Sequence, residues 1–151
     1  EWGYETHPGD FAQDHREKLD SSTNTAEAWI WECCQDQSIG FVRGQMALML
    51  FSGDDVHKRL SALSGGELQR VCVLRALAPG VRYVVADEIS TMLDPITQLS
   101  LWQALKAHTE HYQLGVIVIS HDTALLNRLC HQQWHLAGGS LRISSTALKA
   151  P

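Results

Sequence analysis

Hydrophobic and polar positions follow two textures along this chain. Residues 1–60 are polar and loop-rich at first, then helical. "TAEAWIWECC" carries apolar residues at helical spacing behind Thr23 and Asn24, which supply N-cap chemistry. "GFVRGQMALMLF" predicts a second helix with Val42, Met46, Met49 and Leu50 on one face, and "SGDDVHK" reads as a turn. From residue 61 the texture becomes α/β. "GELQRVCVLRALA" is a helix that stops at Pro79 and Gly80. "RYVVADE" is a short apolar run ending in two acids, which predicts a buried strand with carboxylates at its C-terminal end. "DPITQLSLWQALKAHTEHY" is a helix with Asp94 as cap and Pro95 in its first turn. "LGVIVISHD" is a second buried strand, "TALLNRLCHQ" a helix, and "QWHLAGGSLRI" a hairpin turning at Gly138-Gly139. Strand and helix in alternation predict a parallel sheet with helices on its faces.

The 151 residues suit one domain with a real core. Hydrophobic residues make up 44% and charged residues 19%, a globular balance rather than a disordered one. A net charge of −5 argues against a nucleic-acid face. No apolar run reaches the roughly 18 residues of a membrane span, and the N-terminus shows no signal pattern. The four cysteines, Cys33, Cys34, Cys72 and Cys130, have no CxxC spacing and read as free thiols of a reducing cytosol. Trp29, Trp31, Trp102 and Trp134 read as packing residues. Cys130, His131 and His135 cluster, and His108 and His111 share a helix face, but these read as surface or edge histidines rather than metal ligands.

Four polar features fall at predicted strand ends or helix starts, the edge where open α/β sheets bind ligands. Ser64-Gly65-Gly66 precedes the helix at Glu67, so it is either an anion-binding helix start or a plain turn. Asp87-Glu88 follows an apolar strand and is either a metal and water site or a solvated acidic pair. "STMLD", Ser90 to Asp94, caps the next helix. His121 ends the second strand, where an imidazole can reach a terminal phosphate.

In this order the set resembles the ATP-binding-cassette (ABC) ATPase family. "LSGGE" (Leu63–Glu67) is similar to the family signature, "YVVADE" (Tyr83–Glu88) to its Walker B strand and catalytic Glu, "STMLD" to its D-loop, and "ISHD" to its switch-His segment. Gln13 in "FAQDH" resembles the Q-loop glutamine. The resemblance implies that Asp87 holds Mg²⁺ with Gln13 sensing the metal and attacking water. It implies Glu88 as general base and His121 as a γ-phosphate contact. Ser64, Gly65, Gly66 and Glu67 would form the signature that faces the ATP of a second cassette in a head-to-tail dimer, with Asp94 at the interface.

The P-loop, Gly-x-x-x-x-Gly-Lys-Ser/Thr, is missing from these residues: Lys18, Lys58, Lys106 and Lys149 follow Glu17, His57, Leu105 and Leu148, none of them Gly. The expectation is therefore an α/β, partial P-loop NTPase (ABC-type) fold, an incomplete nucleotide-binding domain. It has a Q-loop region at about 1–20, a helical subdomain at 21–62, a core of parallel strands with flanking helices at 63–137 and a short C-terminal tail, with a hairpin near the end. Alone it is expected neither to bind ATP tightly nor to hydrolyse it, and its sheet is expected to leave an apolar edge open around Val84–Val85 and Val116–Ile119.

Residues 1–67 resemble ABC-F proteins, which act on ribosomes. Residues 63–137 resemble the ATPase subunits of peptide and nickel importers. An ABC-F chain would read Asp-Glu-Pro-Thr-Asn-His-Leu-Asp, whereas this one has Ile89 for that Pro and Met92 for that His. The change of resemblance at "LSGGE" predicts a composite chain. The implied function is the ATP-hydrolysing part of an importer, cytoplasmic and peripheral at the inner face of the membrane, partnered by membrane-spanning subunits and using ATP and Mg²⁺ once a P-loop completes it. The alternatives are part of a ribosome-associated factor or a non-catalytic interaction module.

Overall fold

The computed structural model describes residues 24–34 and 37–146. Two short helices come first. Helix α1, Ala26–Trp31, is capped by Thr25, whose Oγ1 accepts from the Ala28 N–H at 3.2 Å. The cap is thus one residue beyond the expected Thr23 and Asn24, because Thr25 is the last residue with extended backbone. Helix α2, Ile39–Leu48, starts from a Ser38 cap. Val42, Met46 and Met49 are buried as expected, but Leu50 is not on their face. It has left the helix with φ 62° and stands 47% exposed, and Phe51 turns back into the core in its place. The "SGDDVHK" segment is a 3-10 helix, Gly53–His57, rather than an open turn.

Helix α3, Gly65–Ala76, begins at Ser64 and ends before Pro79-Gly80, as the pattern predicts. Strand β1, Tyr83–Asp87, is followed by helix α4, Pro95–Tyr112, then strand β2, Gly115–Ile119, and helix α5, Thr123–Leu129. β1 and β2 pair in parallel, with Tyr83 opposite Gly115 and Asp87 opposite Ile119. A side chain at Gly115 would collide with the Tyr83 ring, at 2.6 Å from its Cδ1. Strands β3, Gln132–Ala137, and β4, Ser140–Ser145, form an antiparallel hairpin. Its turn residues Gly138 and Gly139 have φ of 55° and 73°, the pair of positive angles that a two-residue hairpin loop asks for.

One hydrophobic cluster joins the helical segment to the sheet. It runs from Ile30, Val42, Met46 and Phe51 through Leu60, Val71 and Cys72 to Val84, Ala86, Leu101, Trp102 and Leu105. β1 and β2 are not buried on both faces as expected. Val84 and Ala86 face this cluster, while Tyr83, Val85, Ile117 and Ile119 are exposed, so among the described residues helices cover one face of the pair. Trp134 also departs from its packing role: it sits 62% exposed on the hairpin opposite Ile143. Trp29, Trp31 and Trp102 do join the cluster. His108 is no surface histidine. It is buried, with its ring 4.6 Å from that of Tyr112.

Candidate functional site

The parallel register decides the site. Because Asp87 and Ile119 are register partners, both strands deliver their next residues to the same edge. The Glu88 N–H donates to the Ile119 carbonyl at 3.0 Å, and the Glu88 carboxylate Oε1 accepts from the His121 backbone N–H at 3.1 Å. The His121 Nε2 lies 3.7 Å from the same oxygen, on a side chain that is otherwise fully exposed. Two groups 33 positions apart in sequence therefore form one unit. Asp87 stands beside them, exposed, and its carboxylate has no hydrogen-bond or ion-pair partner among the described residues. A hard cation such as Mg²⁺ asks for an oxygen donor of this kind, uncommitted to a cationic side chain.

The start of α3 is a second cluster. The Ser64 Oγ accepts from the Glu67 N–H at 3.2 Å, and the Glu67 Oε2 accepts from the Ser64 N–H at 2.7 Å, a complete capping box. The Ser64 hydroxyl keeps its own proton to donate outward. Gly65 and Gly66 open the helix, where backbone N–H groups lack intrahelical partners and the dipole favours an anion. Gly66 also has a packing reason. A Cβ there would lie 3.0 Å from Leu93 Cδ2 and 3.8 Å from the Met92 carbonyl, so the helix start rests directly on the 90–94 loop.

Glu67 carries more than the cap. Its Oε1 accepts from Lys58 Nζ at 2.8 Å, and the same ammonium lies 2.8 Å from Asp55 Oδ1. Burial would raise the Glu67 pKa. The Lys58 ammonium and the Ser64 N–H outweigh it and hold the carboxyl down at about 2. Bonds to Asp55 and Glu67 push Lys58 up to about 12. The helical segment and the α3 start are thereby tied by charge. Further along α3, Arg70 donates to the Met49 carbonyl at 3.0 Å, and in its last turn Arg75 donates to the Trp29 carbonyl at 2.7 Å while lying 4.3 Å above the Trp29 ring, so the whole helix is tied to the helical segment.

Asp94 is a helix cap: its Oδ1 accepts from the Ile96 and Thr97 N–H groups, each at 3.1 Å. Those bonds, Thr97 first, lower its pKa. Gln13 lies outside the described residues. Among the described residues no group of three His, Cys, Asp or Glu side chains is arranged to hold a metal, and all four cysteines are free. Reading the sequence did not find Lys58 as a bridge, nor Gln98 and Trp102, which both bond Ser90. Their spacing of four on α4 was the available signal, since it puts them on one helix face.

No protein-family model matches the chain. In sequence it is 39% identical over 89 residues to the methionine import ATP-binding protein MetN 3 of Pseudomonas fluorescens, covering 59% of this chain and 27% of that protein. It is 38% identical over 79 residues to the nickel import ATP-binding protein NikE of Rhodospirillum rubrum, covering 52% and 28%. The uncharacterized ABC transporter ATP-binding protein YkpA of Bacillus subtilis is 30% identical over 132 residues, 87% of this chain and 24% of that protein. The chain spans about a quarter of the length of these curated relatives. In structure it is similar to the ATP-binding cassette MJ0796 in its dimeric post-hydrolysis state bound to ADP and Pi, with a TM-score of 0.63 at 25% identity, covering 72% of this chain and 47% of that one. A second dimeric structure of MJ0796, a bacterial ABC transporter cassette, gives a TM-score of 0.69 at 23% identity over 82% of this chain and 57% of that one. A match across 87% of the chain must run through residues 63–67, so one relative shares both halves. None of these descriptions supports the ribosome-associated alternative.

Proposed function

We propose that this chain, similar in sequence and fold to the C-terminal portion of ABC transporter ATP-binding domains, supplies the signature, metal-carboxylate and switch elements of an ATP-hydrolysing cassette that drives import. The single observation that carries the reading is the Glu88–His121 unit, built by the β1–β2 register, beside an Asp87 with no partner among the described residues. The import assignment draws on the methionine and nickel import proteins among its relatives.

In this reading Glu88 orients a water and takes its proton, with the His121 N–H fixing the carboxylate that receives it. The His121 imidazole is free to turn toward the terminal phosphate. Asp87, with Gln13, would hold Mg²⁺, which spreads the phosphate charge. Ser64 and Gly66 offer a hydroxyl and a backbone N–H to the γ-phosphate of a nucleotide carried by a second cassette, packed head to tail with Asp94 near the interface. These 151 residues contain no Gly-x-x-x-x-Gly-Lys-Ser/Thr, so the phosphate cradle comes from a further segment. Membrane-spanning subunits are the partners that import requires, and no helix among the described residues is long and apolar enough to cross a membrane itself. The cassette would then work at the cytoplasmic face.

The test is complementation. The chain is co-expressed with a segment bearing a P-loop and ATP turnover is measured. Glu88→Gln should lower turnover by about 100-fold or more and leave ATP binding intact, as loss of a general base does. Equal turnover in the two proteins would overturn the reading.

A further inference from the structure

We infer that Ser90, Gln98 and Trp102 form a clamp, with Ser90 and Trp102 buried, that sets the position of the Glu88 carboxylate, an inference that rests on the role proposed for Glu88 above. The loop from Glu88 to Leu93 has few bonds of its own, yet it holds a non-glycine residue in the left-handed region, Glu88 at φ 50°. Such a conformation persists only where the surroundings enforce it.

The enforcing contacts can be traced. The Glu88 N–H is tied to β2 through the Ile119 carbonyl. The Glu88 carbonyl accepts from both the N–H and the Oγ1 of Thr91, at 3.3 and 3.1 Å. These bonds close the turn but anchor it to nothing behind. The anchor is Ser90, 6% exposed, whose Oγ accepts from Gln98 Nε2 at 2.8 Å and from Trp102 Nε1 at 3.1 Å. Trp102 is 4% exposed and Ser90 is its indole N–H partner, so the bond cannot be exchanged for water without opening the core. The Ser90 carbonyl then accepts from Leu93 N–H at 3.1 Å, and Leu93 packs on Gly66. One hydroxyl thus couples α4 to the Glu88 turn. These three are positioning residues: none touches the reacting atoms.

Backbone amide spectroscopy on the ¹⁵N-labelled chain tests this without nucleotide, so a negative result leaves the ATPase reading standing and a failed turnover experiment leaves the clamp standing. The His121 amide reports directly, because it donates to Glu88 Oε1. Trp102→Phe keeps an aromatic six-membered ring but deletes the N–H with the rest of the indole; Ser90→Ala deletes the acceptor and leaves the indole whole; Ser90→Thr keeps the acceptor. Trp102→Phe and Ser90→Ala should move the His121 amide resonance and speed hydrogen exchange of residues 89–93 about tenfold, with the α3 amides at wild-type rates and Ser90→Thr close to wild type. If Ser90→Ala does not fold, Trp102→Phe carries the test alone. An unmoved His121 resonance in Trp102→Phe, or exchange that rises equally in α3, would overturn the clamp.

Discussion

Glu67 ties the signature-like helix start to the helical segment, and its charge makes that tie measurable. The perturbation is Glu67→Gln, which keeps an oxygen for the Ser64 N–H and so keeps the cap, but removes the charge that Lys58 meets. The Glu67 carboxyl sits at about 2 in the folded chain against an ordinary 4.5, because Lys58 and Ser64 outweigh the effect of burial. A gap of that size converts, at about 1.4 kcal/mol per pH unit, to a ceiling of about 3.4 kcal/mol. The Lys58 end is open to water, which screens the pair, so the expected loss at pH 7 is about 1–2 kcal/mol. The sign follows from a depressed carboxylate. Its stabilisation is whole above 4.5, where both states are ionised, and fades as pH falls toward 2, where the unfolded chain takes up the proton first. Most of it is gone at pH 3. Urea melts of wild type and variant at pH 7, 4 and 3 measure the difference between the two proteins, which cancels every other titrating group. The difference should shrink with falling pH. A difference that stays constant from pH 7 to 3 would refute the ion-pair account and leave only a packing effect.

His108 should give the neighbouring pH range its slope. Burial first, then the nearby His111, lowers its pKa below 6.5, although a bond to the Leu77 backbone pulls the other way. The folded chain therefore holds His108 neutral, and stability falls as pH drops below about 6.5; thermal melts between pH 8 and 5 should show this slope in wild type and a flatter one in His108→Gln. Leu101→Ala, at a side chain 1% exposed, should cost about 2–5 kcal/mol in urea melts with the denaturant slope unchanged. Burial pushes the Cys72 thiol up to about 12, and burial with the adjacent Cys33 pushes Cys34 up to about 11. A disulfide reagent at pH 8 should leave both unlabelled until the chain unfolds, and prompt labelling of all four thiols would show the core to be open.

The elements that sequence placed well are those whose signals are local. Ser64 with Glu67 three residues on, and Asp94 before Pro95, are capping patterns complete within one turn, and both helices start there. Gly138-Gly139 between alternating strands likewise fixed the hairpin. The errors arose where a neighbour decides. Leu50 fits the apolar face of α2 by periodicity, but the helix ends before it and Phe51 is the residue that the core accepts. The apolar runs of β1 and β2 read as buried on both faces, yet burial depends on what lies against each face, and the alternation of Val84 and Ala86 with Val85 answers that only in three dimensions.

The site divides along the same line. Each candidate could be named from its own segment, because acids at a strand end and glycines at a helix start are local patterns. Their grouping could not be read without the register, since Glu88 and His121 meet only if β1 and β2 are parallel neighbours with Asp87 opposite Ile119. A shift of one residue in that pairing would turn every side chain of one strand to its other face, moving Ile117 and Ile119 toward the core and Val116 and Val118 out of it. The register is held where Gly115 leaves room for the Tyr83 ring and the Gly115 N–H reaches the Arg82 carbonyl at 2.9 Å. The start of the strand pair, far from any candidate chemistry, is therefore what aligns its other end. Gly115→Ala puts a Cβ 2.6 Å from Tyr83 Cδ1, and the ring must swing away to admit it. If the ring alone moves, the pairing stays, and the His121 amide should keep its wild-type resonance in a stable but altered strand start. If the strand slides instead, that resonance shifts together with those of Ile117 and Ile119, which would show that the alignment of Glu88 with His121 depends on this one missing side chain.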